Sequence, residues 1–176
     1  MDISAEEIKR ILLEGSYVAQ DDIRKAEATA IARGVPLKNL LLEEGLMSKD
    51  LLGQAIAESL GVPYSDLNSA SVSPDQVKRI PEDIAKKYHA IVFSESQESV
   101  VIATDSPRDE ALFSIVAPIF EGKAITMTYS LPEDIEPLFI HYKKSLETRF
   151  SKIIEKNDRV AAGLLEEIFE DALLAP

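Results

Sequence analysis

The chain has 176 residues, a net charge of −12 and no cysteine. A chain of this length buries roughly two-thirds of its surface on folding, enough for a core without metal or disulfide, and the missing thiols exclude disulfide staples, thiolate metal sites and cysteine nucleophiles. Residues 1–60, 61–143 and 144–176 carry −4, −6 and −2, so none of the three regions offers the clustered cations that nucleic acid or an anionic membrane surface requires.

The first region, 1–60, reads as helical. Ile8, Ile11, Leu12 and Leu13 form the apolar face of a helix stopping at Gly15. Ile23, Ala26, Ala30 and Ile31 do the same before Gly34, Leu37, Leu40 and Leu41 before Gly45, and Leu52, Ala55, Ile56 and Leu60 before Gly61. Glycine after the last apolar turn is a helix C-terminal signal. Ser48 is placed to cap the fourth helix, with Asp50 in its first turn. The pattern is an internal repeat. Leu12-Leu13-Glu14-Gly15 aligns with Leu42-Glu43-Glu44-Gly45, thirty residues on. One extra residue in the first copy then brings Tyr17-Val18 over Leu46-Met47. Two copies fall short of a solenoid, so the expectation is a bundle of two helical hairpins.

The second region, 61–143, changes period. Val62–Leu67 reads as a short strand, and Pro74 and Pro81 sit in the first turns of short helices near 74–79 and 81–87. Ala90–Ser94 and Ser99–Thr104 are β-rich and joined by a hairpin connection, Glu95-Ser96-Gln97-Glu98. A helix follows Asp105-Ser106-Pro107 and runs to about residue 118. Ala124–Tyr129 is a further strand, and a helix runs from Leu131 through Tyr142. The expected fold class is α+β, a small mixed sheet of three to four strands with helices. The third region, 144–176, reads as C-terminal amphipathic helices, with a break near Asn157-Asp158.

No apolar run approaches the length of a membrane span, and the acidic start of the chain has no secretory h-region. A nucleotide-binding loop needs Gly-x-x-x-x-Gly-Lys-[Ser/Thr]. The only Gly-Lys pair is Gly122-Lys123, with Ala117 in the first-glycine position and Ala124 in the hydroxyl position. His89 and His141 lack metal-ligand spacing. The acidic pairs Glu82-Asp83, Glu133-Asp134 and Glu166-Glu167 sit at helix starts or on solvent faces, where the helix dipole and hydration account for them. The chain is therefore read as no enzyme, with no catalytic residue, no metal site and no resident cofactor.

An ordered series of short motifs adds a resemblance. It runs through Leu41-Leu42-Glu43-Glu44-Gly45-Leu46-Met47-Ser48, Ala55-Ile56-Ala57-Glu58 and Leu60-Gly61-Val62-Pro63-Tyr64. It continues through Ile80-Pro81-Glu82-Asp83-Ile84, Val101-Ile102-Ala103-Thr104-Asp105-Ser106-Pro107 and Pro132-Glu133-Asp134-Ile135. Over about residues 5–143 the chain resembles the N-terminal domain of type II secretion and type IV pilus assembly ATPases (GspE/PilB-like, MshEN-type). The stretch Asp158–Ala172 looks like the helix that opens the ATPase body of that family. The resemblance implies a cytoplasmic docking and regulatory domain, peripheral to the inner membrane through platform or adaptor proteins. It also implies that the ATPase body, with its ATP, lies beyond Pro176.

Some members of the family bind cyclic di-GMP through two copies of R-L-G-x-x-L-x-x-x-G-x-L-x-x-x-x-L-x-x-x-L-x-x-Q. In the second copy here Leu37, Leu41, Gly45, Met47, Leu52 and Ile56 fit, but Pro36, Lys38 and Ser59 replace the arginine, the glycine and the glutamine. In the first copy Glu6, Glu7 and Ile8 replace the opening triplet, while Ile11 and Gly15 fit. The packing part of the motif survives and the ligand-reading part is lost, so a cyclic di-GMP sensor is the alternative reading. In the C-terminal region Val160, Leu164, Leu165, Ile168, Phe169 and Leu173 fall on one face of a helix. Such a stripe marks an interface. The implied partner is the ATPase body; its own α+β unit, or self-association with the same helix of a second molecule, are substitutes.

Overall fold

Ser4 and Ser48 begin two of the four N-terminal helices, each hydroxyl accepting from the backbone N–H three residues on, at 3.2 and 3.1 Å. The computed structural model describes residues 3–143. In it α1 (Ala5–Glu14), α2 (Gln20–Arg33), α3 (Leu37–Glu43) and α4 (Lys49–Leu60) form where the apolar spacing expects them. Each helix closes with an N–H reaching back five residues: Tyr17 to Leu12, Val35 to Ala30, Leu46 to Leu41 and Val62 to Ala57. The residue before each donor is left-handed: Ser16 (φ 54°), Gly34 (65°), Gly45 (67°) and Gly61 (64°). This closure satisfies carbonyls that the helix end would otherwise strand.

Those four turns correct the repeat. Ser16, not Gly15, stands where Gly45 stands, 29 residues on with no extra residue, whereas Gly61 follows Gly34 by only 27 because α4 is two residues shorter than α2. Ile8, Ile11 and Leu12 then superpose on Leu37, Leu40 and Leu41, all buried, and Val18 on Met47. Gly15 is right-handed and serves another purpose: a Cβ there would meet the Tyr17 ring at 2.3 Å. α2 packs on α3, and α1 packs on α3 and α4.

Beyond Gly61 come α5 (Pro74–Val77), α6 (Glu82–Tyr88), β1 (Ala90–Glu95), β2 (Ser99–Thr104), α7 (Glu110–Val116), β3 (Ala124–Tyr129) and α8 (Pro132–Ile135). The sheet has the order β1-β2-β3, antiparallel then parallel, the mixed α+β arrangement expected. Several boundaries differ, three of them beside prolines. Val62–Leu67 forms a single bridge, Tyr64 to Tyr129, because Pro63 has no N–H to donate and the Asp66 carboxylate accepts from Asn68 and Ser69 and turns the chain away. Pro81 stands one residue ahead of α6. The last helix keeps α geometry only to Ile135 and continues as a 3₁₀ helix over Glu136–Tyr142, since Pro137 removes a donor and its ring crowds the preceding turn.

Alternation along the strands sends side chains to two covered faces. Ala90, Val92, Val100 and Ile102 pack with Leu112, Val116 and Phe120. Ile91 and Ala103 pack with Leu67, Val77 and Ile135 on the other side. A bulge at Phe93 shifts the β1–β2 register, and the Gln76 side chain donates to the Phe93 carbonyl at 3.0 Å. The Tyr142 hydroxyl donates to the carbonyls of Val77 and Ile80, at 2.5 and 2.7 Å, and burial pushes its pKa up to about 12. Residues up to Tyr142 make one compact unit. Among the described residues no helix is long and apolar enough to cross a membrane. The stripe from Val160 to Leu173 lies outside the described residues.

Two measurements check this account. Ser16→Gly removes a left-handed serine and raises unfolding stability by about 1 kcal/mol, whereas Gly45→Ala lowers it by about as much; no gain from Ser16→Gly would contradict the equivalence of Ser16 with Gly45. The second concerns Glu95, which accepts from Arg79 at 2.7 and 2.8 Å and from Lys123 at 2.7 Å. These two cations, Arg79 first, hold its carboxyl down to about 2. A carboxylate depressed on folding adds stability above its unfolded pKa and loses it as pH falls through the folded value. Denaturant titrations from pH 5 to pH 2 should therefore show a loss that is roughly 1–2 kcal/mol smaller in Glu95→Gln. Parallel pH profiles for the two proteins would contradict the assignment.

Candidate binding cleft at the helix–sheet seam

β3 does not end in the sheet's own core. Its last residue, Tyr129, and Leu131 just beyond are 2% and 1% exposed and belong to the hydrophobic cluster of the four helices. Backbone bonds hold the crossing. Tyr129 N–H donates to Pro63 O and Ser65 N–H to Tyr129 O, both at 2.9 Å, and Ser130 N–H donates to Thr104 O at 3.0 Å. Two ion pairs join the same seam: Lys38 with Glu133 at 3.0 Å, and Lys49 with the buried Asp134.

A cleft of about 420 Å³ opens beside this crossing. Ile8, Leu37, Ile56, Leu131 and Pro132 line it, with Ala5, Lys38 and Asn39. A second cleft of about 300 Å³ shares Ile3 with it and runs past Ile11, Leu60, Glu7, Arg108 and Asp109. The positions singled out in the sequence divide between surface and core. Leu37 and Ile56 line the first cleft, Leu41 and Leu52 are wholly buried behind it, and Gly45 lies in its turn. Pro36 and Lys38 reach the first cleft and Ser59 the second. The Ser59 hydroxyl is already donated to Ile56 O at 2.7 Å. At the 29-residue period, Glu7-Ile8-Lys9 hold the opening positions of the first copy, Ile8, Leu12, Val18 and Ile23 hold four of its five leucine positions, and Glu27 the fifth.

Polar atoms at the seam are under-partnered. Tyr64 Oη and Asp134 Oδ2 are inaccessible and have no hydrogen-bond partner among the described residues. The Tyr64 ring lies against Gly53 of α4, where a Cβ would meet it at 2.3 Å. Tyr129 also lines the first cleft, but its hydroxyl is not among these inaccessible, unpartnered atoms. Burial above all, then the Glu133 and Asp105 carboxylates, push the Tyr129 phenol upward. It therefore stays a protonated donor at neutral pH. The cleft offers an apolar floor, one phenolic donor and a rim ion pair, which suits binding an apolar group that carries an acceptor.

Sequence reasoning missed one pair. His89 Nδ1 lies 2.9 Å from Asp105 Oδ2, and the Ser106 hydroxyl donates to Asp105 Oδ1 at 2.9 Å. The antiparallel register of Ala90 with Thr104 sets residue 89 opposite residue 105, a signal available once the hairpin is recognised. His89 is left-handed (φ 43°) at the end of α6. Among the described residues no three His, Asp or Glu side chains gather to hold a metal.

Comparison with known proteins agrees with this geometry. The MshEN domain profile matches residues 60–149. The type IV pilus assembly ATPase PilB of Myxococcus xanthus (strain DK1622) is 23% identical over 97 residues, covering 55% of this chain and 17% of that protein. Bacteriophage adsorption protein B of Escherichia coli (strain K12) is 22% identical over 106 residues, covering 60% of this chain and 14% of that protein. The chain thus spans less than a fifth of the length of these curated relatives. The structure of MshE with cdg superposes with a TM-score of 0.51 at 23% identity, over 77% of this chain and 98% of that one, which establishes the shared fold. Family match and fold together place this chain in the MshEN domain family.

Proposed function

We propose that this chain is an N-terminal docking and regulatory domain of a type II secretion or type IV pilus assembly ATPase, and that it links the motor to an inner-membrane platform or adaptor protein. The MshEN match over residues 60–149 carries this reading. The relatives lend support: one is a pilus assembly ATPase, and another bears the name of a phage adsorption protein, as a module transferable between bodies would. In this reading the ATPase body lies C-terminal to the domain and faces the stripe Val160, Leu164, Leu165, Ile168, Phe169 and Leu173. The work is done in the cytoplasm, at the inner membrane only through partners.

Cyclic di-GMP sensing is the second reading, favoured by the likeness to the structure of MshE with cdg and by a cleft on the motif positions Leu37 and Ile56. Against it, Pro36 has no side-chain donor, Lys38 is held by Glu133, and the Ser59 hydroxyl is occupied. A dianionic ligand would also meet Glu133 and Asp134 at the same seam. Isothermal titration with cyclic di-GMP is expected to show no saturation below about 100 µM, or about 5.5 kcal/mol; saturable low-micromolar binding would turn the assignment to a sensor. Purified chain is expected to hydrolyse no ATP, since it lacks the phosphate-binding loop. The direct test of docking is binding of the chain to the cytoplasmic part of its organism's platform protein, measured by biolayer interferometry. Micromolar or tighter association is expected, and none at all would contradict the proposal.

A further inference from the structure

The two edges of the sheet are built differently. β1 is guarded: a bulge at Phe93 shifts its register, the Gln76 side chain donates to the Phe93 carbonyl, and Glu95 is paired with Arg79 and Lys123. β3 has none of these devices. Ala124-Ile125-Thr126-Met127-Thr128-Tyr129 holds no charge and no proline, and it pairs with β2 in unbroken register. Bulges, charges and prolines are how folded proteins keep an edge strand from recruiting another chain.

The free groups of that edge can be named. Ala124 N–H donates to Glu98 O at 2.8 Å, so the even-numbered residues of β3 turn their backbone groups to β2. Tyr129 turns both of its groups the other way, to Pro63 and Ser65. Ile125 and Met127 share the parity of Tyr129, and their N–H and C=O groups have no hydrogen-bond partner among the described residues. A fourth strand position is thus filled only at the Tyr129 end. The bridge of Tyr64 to Tyr129 is parallel, so the residues that would continue it beside Met127 and Ile125 are Val62 and Leu60. Those two belong to the end of α4 and its closing turn.

Resting on the docking reading above, we propose that the open edge at Ile125 and Met127 takes an extended segment of the partner protein as an added strand. Two N–H and two C=O groups in alternation are the complement of an extended backbone. The Ile125 and Met127 side chains are half-buried against the cluster of Val100, Ile102 and Leu112, so the segment carries apolar residues on that face. Ala124 and Thr126 are exposed on the other face, where polar residues fit. A second copy of the chain is a poorer occupant: each copy carries −12, and two residues per strand bury far less than the roughly 1,600 Å² of a stable interface.

The test selects phage-displayed random peptides on the immobilised whole chain. The enriched peptides, and the cytoplasmic part of the platform protein, are measured against the parent, Met127→Pro and Thr126→Lys. The proline removes an outward N–H that β2 does not use. The lysine adds a charge at an exposed position and leaves every backbone group in place. Binding should weaken more than tenfold in Met127→Pro and about fivefold in Thr126→Lys, with the melting temperature of Thr126→Lys unchanged. N-methylation at alternate peptide residues should abolish binding in one register and spare it in the other. In the free chain the amides of Ile125 and Met127 should exchange faster than those of Thr126 and Thr128. Slow exchange at Ile125 and Met127, peptides that bind both variants as well as the parent, or binding indifferent to N-methylation would each overturn the proposal. If the platform protein binds both variants normally, the edge proposal fails while the docking reading stands. If the peptides behave as expected but the platform protein does not bind, the docking reading fails and the edge remains a strand-binding site.

Discussion

The short crossing from Tyr129 to Leu131 is the constraint on which the rest of the molecule depends. β3 is parallel to β2 and pairs with it along its whole length. Its final side chain is nevertheless buried among helices that end at Leu60, far earlier in the chain. The bridge to Tyr64 and the bond from Ser130 to Thr104 fix this crossing by backbone contacts. Side chains can vary around such a crossing while its geometry persists. The first cleft exists because the chain leaves the sheet here, so its wall is formed by residues from both the repeat and the sheet.

Electrostatics at the seam is not arranged for greatest stability. Lys49 satisfies one oxygen of Asp134 and leaves the other without a partner. Burying a paired charge is weakly stabilising at best, and an orphaned oxygen costs free energy. A fold under selection only for stability would fill the region with aliphatic side chains. The tyrosines and carboxylates retained here give the cleft a donor and an acidic neighbourhood. The Glu95 cluster at the far end of β1 is different: two cations saturate one carboxylate and brace the hairpin.

Much of this was legible from the chain itself. The 3.6-residue spacing of Ile8, Ile11 and Leu12, and of their counterparts Leu37, Leu40 and Leu41, locates the helices without ambiguity. Alternation in Ala90–Ser94 and Ser99–Thr104 locates the hairpin. The repeat register was not legible, because glycine was matched to glycine, whereas the structure uses a left-handed serine at one of the two equivalent turns. A helix signal through Tyr142 hid the consequence of Pro137. The motif residues Leu37, Leu41, Gly45, Leu52 and Ile56 look equivalent in sequence. Burial separates them: two line a cleft, two are core and one forms a turn. Tyr129 carried no motif at all. Its place, at the end of β3 and inside the helical cluster, is revealed only by three-dimensional packing.

The account joins a fold assignment to a claim about where the domain meets its partner. Hydrogen exchange followed by mass spectrometry, on the whole chain with and without the cytoplasmic part of the platform protein, tests that claim most directly. The account predicts that added protection concentrates in the peptides that cover β3, where the N–H groups of Ile125 and Met127 have no partner among the described residues. Protection confined to the β1–β2 hairpin and α6, with β3 unchanged, would contradict it.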